Sequence, residues 1–140
     1  MSDIPKSTLE IKVLKFLMQY GPDQLIDWID EFDHMGGPVK FKQFKKVEKL
    51  ACEAFDISIA DMHGLSNTPS TNAKRIICFV AFNMINLQQP AISKLIGYVS
   101  LRSVSYYIKD VDTWINKNPK ANKQFYEAYN KVIEKFNSEQ

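Results

Sequence analysis

Gln89-Pro90-Ala91-Ile92-Ser93-Lys94-Leu95-Ile96-Gly97-Tyr98-Val99-Ser100-Leu101-Arg102-Ser103-Val104-Ser105-Tyr106-Tyr107-Ile108-Lys109 is the stretch that decides the fold. A proline is tolerated in the first turn of a helix, where its missing N–H has no intrahelical partner to lose. Gly97 then offers a turn, and Ser100 offers a side-chain oxygen to cap a second helix. The stretch predicts a short helix, a tight turn and a longer helix, the pattern of a helix-turn-helix.

The second helix has two faces. Counted from Ser100, Val104, Ile108, Val111 and Ile115 recur at i, i+4, i+7 and i+11, the spacing of a buried seam. The opposite face carries Arg102, Ser105, Tyr106, Lys109 and Thr113. Guanidinium, hydroxyl, phenol and ammonium groups near a helix start suit phosphate oxygens and base edges. Polar residues also solvate any exposed helix face, so this pattern alone decides nothing about function.

Outward from this pair, the chain from about Val47 to Phe136 resembles the C-terminal DNA-binding domain of the bacterial replication initiator DnaA, a helical domain related to the Trp repressor. The likeness starts with Cys52-Glu53-Ala54-Phe55-Asp56-Ile57-Ser58-Ile59-Ala60-Asp61-Met62, which is similar to the family's opening helix, its corner and a short second helix. A long central helix follows, containing Lys74-Arg75-Ile76-Ile77. Gln89-Pro90-Ala91-Ile92, Leu95, Ile96-Gly97, Val104 and Val111 match the family's Leu-Pro-x-Ile-Gly-x-x-Phe-Gly pattern and its later apolar positions without a gap. Asn118-Pro119 is similar to the Asp-Pro before the family's closing helix. The resemblance implies an all-α helix-turn-helix domain whose second helix faces a DNA groove.

The departures narrow what the resemblance carries. Where the family has Gly-Arg-Asp-His-Ser/Thr-Thr-Val, this chain has Tyr98-Val99-Ser100-Leu101-Arg102-Ser103-Val104, so Val99, Ser100 and Leu101 replace the Arg, Asp and His that read the initiator's box. Val80 stands where the central helix of the family has an arginine. Fold and groove-facing role therefore carry over, and sequence preference does not. The initiator's nucleotide chemistry is not expected either, because no Gly-rich loop with Lys-Ser/Thr occurs in the chain.

The residues expected at duplex DNA are Arg102, Ser103, Ser105, Tyr106 and Lys109, with Ser100 at the helix start, Lys94 on the preceding helix, and Lys74 and Arg75 in the first turn of the central helix. Charge supports that placement. Residues 1 to 37 hold three bases against seven acids, residues 38 to 109 hold ten against four, and residues 110 to 140 balance at five each. Basic charge thus gathers around the helix-turn-helix, where neutralising phosphates would release counterions and supply affinity independent of sequence. Upstream, Phe41, Phe44, Val47, Ala51 and Phe55 follow helical spacing toward a core, while Lys42, Lys45, Lys46 and Lys49 collect on the other side. That face suits a second phosphate contact, or simply water.

The predicted central helix, Thr71 to Leu87, is apolar on nearly every side and is capped by Thr71 or Asn72 after a Ser66 to Ser70 loop. Residues 1 to 37 lie outside the resemblance. Leu9, Val13, Phe16, Leu17 and Tyr20 make one amphipathic pattern, Gly21-Pro22 breaks it, and Leu25, Trp28, Ile29 and Phe32 make another, ended by Gly36-Gly37-Pro38. The expected organisation is an N-terminal helical hairpin, 1 to 37, packed on the core or on a second copy in a homodimer, followed by the helix-turn-helix domain, 38 to 140.

Several classes are disfavoured. The chain has 140 residues and is 45% hydrophobic, enough for one packed core and too apolar for a disordered tail. Its most apolar run, Ile76 to Ile85, is too short to cross a bilayer, and Asp3, Pro5 and Glu10 interrupt any signal-peptide pattern, so a cytoplasmic protein without a membrane partner is expected. Cys52 and Cys78 sit among apolar neighbours without a second ligand at metal spacing. His34 and His63 lack a nucleophile or paired carboxylate at any catalytic spacing. No catalysis, cofactor or metal is therefore expected. The expected function is binding of double-stranded DNA by a transcriptional regulator or a protein of replication or mobile elements. The alternative is a helix-turn-helix module that has lost DNA reading and binds protein.

Overall fold

The computed structural model of the chain describes residues 8–34, 36–97, 99–117, 120 and 122–138. The side chains of Leu9 and Phe32, together with Tyr98 and Asn118-Pro119, lie outside the described residues. The fold is all-α, with no strand among the described residues. Its helices are α1 (Thr8–Tyr20), α2 (Pro22–His34), α3 (Gly37–Ala54), α4 (Ile59–Gly64), α5 (Thr68–Asn83), α6 (Gln89–Leu95), α7 (Leu101–Asn116) and α8 (Lys123–Ser138).

The chain divides into two compact units, Met1–Pro38 and Val39–Gln140. In the first, α1 and α2 pack on one another across the single residue Gly21, whose φ of 84° suits a residue without Cβ and whose N–H donates to the Leu17 carbonyl at 2.9 Å. No described side chain of this pair is buried. Met18 is 86% exposed and Trp28 61%. The sequence of α2 holds five acids, Asp23, Asp27, Asp30, Glu31 and Asp33, and no lysine or arginine.

The second unit contains every buried hydrophobic side chain among the described residues, from Phe44 to Phe136. Capping sets its element boundaries. Ser58 opens α4 by accepting from the Asp61 N–H at 3.0 Å. Asn67 opens α5 by accepting from the Ser70 N–H at 3.0 Å, with Pro69 in the first turn. The fully buried Ser70 donates its hydroxyl to the Asp61 carbonyl at 3.2 Å, tying α5 to α4. Such caps are each worth about 1 kcal/mol and satisfy N–H groups that a helix start leaves open.

The central helix differs in register from the sequence expectation. It runs from Thr68 to Asn83 and not from Thr71 to Leu87, because Asn67 is the cap and the segment with the look of a loop, Thr68-Pro69-Ser70, is its first turn. It stops at Met84, and Asn86 with φ of 64° turns the chain away. Ile85 and Leu87 are still buried, but from the connection to α6. Ala73, Ile76, Ile77, Cys78, Val80 and Ala81 are sealed, while Phe82 is 39% exposed, so α5 is central without being enclosed on every side. Burying such aliphatic side chains contributes roughly 1.5–3 kcal/mol each. Around it, α7 makes the most extensive packing, and α8 meets both helices, α5 through the edge contact of Phe79 with Tyr129 and α7 through that of Trp114 with Phe125.

Candidate nucleic-acid interface

The helical pair at residues 89 to 116 forms as its punctuation predicts. Pro90 lies in the first turn of α6, Ile96 closes that helix, and Gly97 takes φ of 99°, a conformation L side chains rarely adopt. Ser93 donates its hydroxyl to the Val99 carbonyl and so fixes the turn against α6. Ser100 then caps α7: its Oγ accepts from the Ser103 N–H at 3.1 Å and donates to the Ser103 hydroxyl at 2.9 Å. A Cβ on Gly97 would meet the His63 ring at 3.1 Å, so α4 sits directly behind the turn.

The buried seam of α7 is narrower than periodicity suggests. Val104 and Val111 are fully enclosed, whereas Ile108 and Ile115 are only half-buried. Ile92 and Ile96 of the α6 side complete this floor. Arg102, Ser105, Tyr106 and Lys109 all face outward and are exposed. The Arg102 guanidinium lies 5.6 Å over the Tyr106 ring and donates to its phenol oxygen at 3.4 Å, so the two residues form one amphipathic patch. Ser100 is exposed but occupied as the cap, and Ser103 is half-buried against it. Lys94 is exposed on α6, and Lys74 is half-buried on α5.

Arg75 has a different place from the one its sequence position suggests. Its Nε donates to Asp110 at 3.2 Å, another nitrogen donates to the Asn72 side chain at 2.7 Å, and the guanidinium stacks 4.7 Å from the Trp114 ring and 5.9 Å from that of Tyr107. The group expected to reach a phosphate is held between α5 and α7 as a strut. Its partners lie 32 or more residues away or within its own helix turn, and no local spacing signals the α7 ones.

Two features depart from the sequence expectation. Leu101, at the edge of the apolar stripe, is 52% exposed at the first position of α7, as exposed as Tyr106. A leucine left in water at a helix start beside Arg102 can cover a thymine methyl group. Glu48, in the middle of the lysine-rich α3, is only 1% exposed, with Lys45 at 3.3 Å and the His63 ring at 3.4 Å. A buried carboxylate needs such partners. The sequence signal for it was its position between Val47 and Leu50 on the core side of the helix.

Among the described residues no group of His, Cys, Asp or Glu is arranged to hold a metal, and no helix is long and apolar enough to cross a membrane. Cys52 and Cys78 are free and buried.

No protein-family model and no solved structure matches the chain. Over 103 residues, 73% of its length, it is 29% identical to the chromosomal replication initiator protein DnaA of Borrelia recurrentis (strain A1). That stretch is 21% of the initiator, so the chain spans about a fifth of the length of this relative and is DnaA-like over that part.

Proposed function

We propose that the chain binds double-stranded DNA without catalysis, through the outward face of α7, and that residues 47 to 136 correspond to the C-terminal DNA-binding domain of DnaA. One observation carries the reading: Val104 and Val111 anchor α7 while Arg102, Ser105, Tyr106 and Lys109 stand free of the core on its first two turns. The first turn of a helix following a tight turn is where base edges are met in helix-turn-helix proteins. The order of helices supports the correspondence, since α4, α5, α6 and α7 follow the family's short helix, central helix and helical pair. Free, buried Cys52 and Cys78 suit a reducing cytoplasm. A transcriptional regulator or a replication or mobile-element protein would both use such a face.

In this reading Arg102 reaches a guanine or a phosphate, Leu101 covers a thymine methyl, and Lys109 pins the backbone. Arg102→Ala is expected to weaken binding to a preferred site by about 1–3 kcal/mol and to affect random duplex less. Lys109→Ala is expected to weaken both and to lower the salt slope by about one ion. With Val99, Ser100 and Leu101 in place of the initiator's reading residues, the initiator's own box is not preferred over random duplex. Fluorescence anisotropy on labelled duplexes at 50 and 200 mM salt tests all of these. Loss of neither affinity nor slope in both variants would turn the reading to protein recognition, which the exposed Leu101 and Tyr106 also favour.

A further inference from the structure

A second basic surface lies on α3 and α8. Lys42, Lys45, Lys46 and Lys49 of α3 and Lys135 of α8 line an open groove of about 1170 Å³, with Glu53 as the one carboxylate among its lining residues. Lysines 42 to 49 span two helical turns, about 10 Å at 1.5 Å per residue. Along the duplex axis that length corresponds to roughly three phosphates of one strand, at 3.4 Å of axis per phosphate. Of its two aliphatic lining residues, Leu50 is already covered within the protein and Val39, 71% exposed near the start of α3, is a single small side chain, too little for an apolar anchor. A helical protein segment docking in a groove needs such an anchor. No aromatic side chain lines the groove, which leaves nothing for unpaired bases to stack on. What remains complementary is a run of negative charge on a stiff scaffold.

We infer that this groove takes the phosphate backbone of duplex DNA, as a contact separate from the face of α7 and independent of sequence. The two surfaces are carried by different elements. Near its own start, α8 packs through Phe125 on Trp114, at the end of α7 away from Arg102, and Lys135 stands almost three turns further along α8. Lys45 has a structural task, since it is 3.3 Å from buried Glu48 and 5.5 Å over the Phe41 ring, and it is left in place. Lys42, Lys46, Lys49 and Lys135 are the ones to change. This inference extends the reading of α7 but does not need it to be correct.

The test uses the full chain, random duplex DNA and three variants. One carries Lys42→Gln, Lys46→Gln, Lys49→Gln and Lys135→Gln; glutamine matches lysine in helix propensity, so the fold is preserved and circular dichroism checks it. A second carries Arg102→Ala and Lys109→Ala. A third, matched in charge, carries Lys12→Gln, Lys15→Gln, Lys117→Gln and Lys123→Gln, all exposed and none lining the groove. The groove variant is expected to lose about three ions of salt slope relative to wild type, and the matched variant less than one. Equal losses in those two variants would mean net charge alone acts, and an unchanged slope in the groove variant would mean DNA does not enter it; either overturns the inference. Loss confined to the α7 variant keeps the first reading and removes this one, and loss confined to the groove variant does the reverse. Displacement of duplex by poly-L-glutamate at equal charge concentration, abolished only in the groove variant, would assign the groove to acidic protein instead.

Discussion

Gly97 shows how one residue can hold the geometry of a whole face. Its φ of 99° is open to glycine and strained for any side chain, and the His63 ring occupies the space a Cβ would take. Gly97→Ala is therefore expected to cost about 1–3 kcal/mol, from backbone strain together with displacement of His63. Gly64 offers the control. It closes α4 without positive φ, nothing lies within 4 Å of its added Cβ, and alanine there is expected to be neutral or stabilising by up to about 1 kcal/mol. Urea midpoints of the two variants measure the contrast. If they shift equally, the turn is not the strained point. Displacing His63 also disturbs its approach to buried Glu48, so Gly97→Ala with His63→Ala should recover only the steric part of the loss.

At the scale of elements, caps and turns decide both what forms and what could be foreseen. Ser100 bonds the Ser103 N–H at the start of α7, and among the described residues no other side chain takes that place. Ser100→Ala is expected to lower stability by about 1 kcal/mol, while Ser100→Asp, another good cap, restores it. Thermal melts of the two variants decide this; equal losses would mean the hydroxyl pair with Ser103 matters more than the cap. The same local chemistry made α6, the turn and α7 legible from Pro90, Gly97 and Ser100. It also misplaced α5, because Asn-Thr-Pro-Ser serves equally as a loop or as a cap followed by a first turn. Tertiary pairing was harder to foresee. Arg75 looked like a free base because Asp110 and Trp114, which hold it, lie on another helix. Lys135 gave no hint of joining the α3 lysines, since the balanced charge of residues 110 to 140 conceals which base faces which groove.

Across the whole molecule, the thiols and phenols whose proton affinity is raised are spread over α3, α5, α7 and α8. Burial pushes the Cys78 thiol of α5 up to about 12 against some relief from Lys74. Burial, with the carboxylates Glu48 and Glu53 nearby, pushes the Cys52 thiol of α3 up to about 11. Tyr107 of α7 and Tyr129 of α8 are raised as well, first by burial and then by neighbouring groups. An acid whose pKa is higher folded than unfolded keeps its proton better in the native state. Its contribution is fully present below the unfolded value, near 9 for the thiols, and is lost as pH rises from there through the folded value. Stability should therefore fall from pH 9 upward, with the tyrosines adding to the slope above 10. A series of urea midpoints from pH 7 to 10.5 should be flat at first and then decline. Replacing both thiols, with Cys52→Ala and Cys78→Val, lowers the whole curve through lost packing but should flatten the portion between pH 9 and 10. An unchanged slope in that variant would show that the thiols open to solvent before the core does, and a thiol reagent at pH 8 would then react with the native protein as fast as with the unfolded chain.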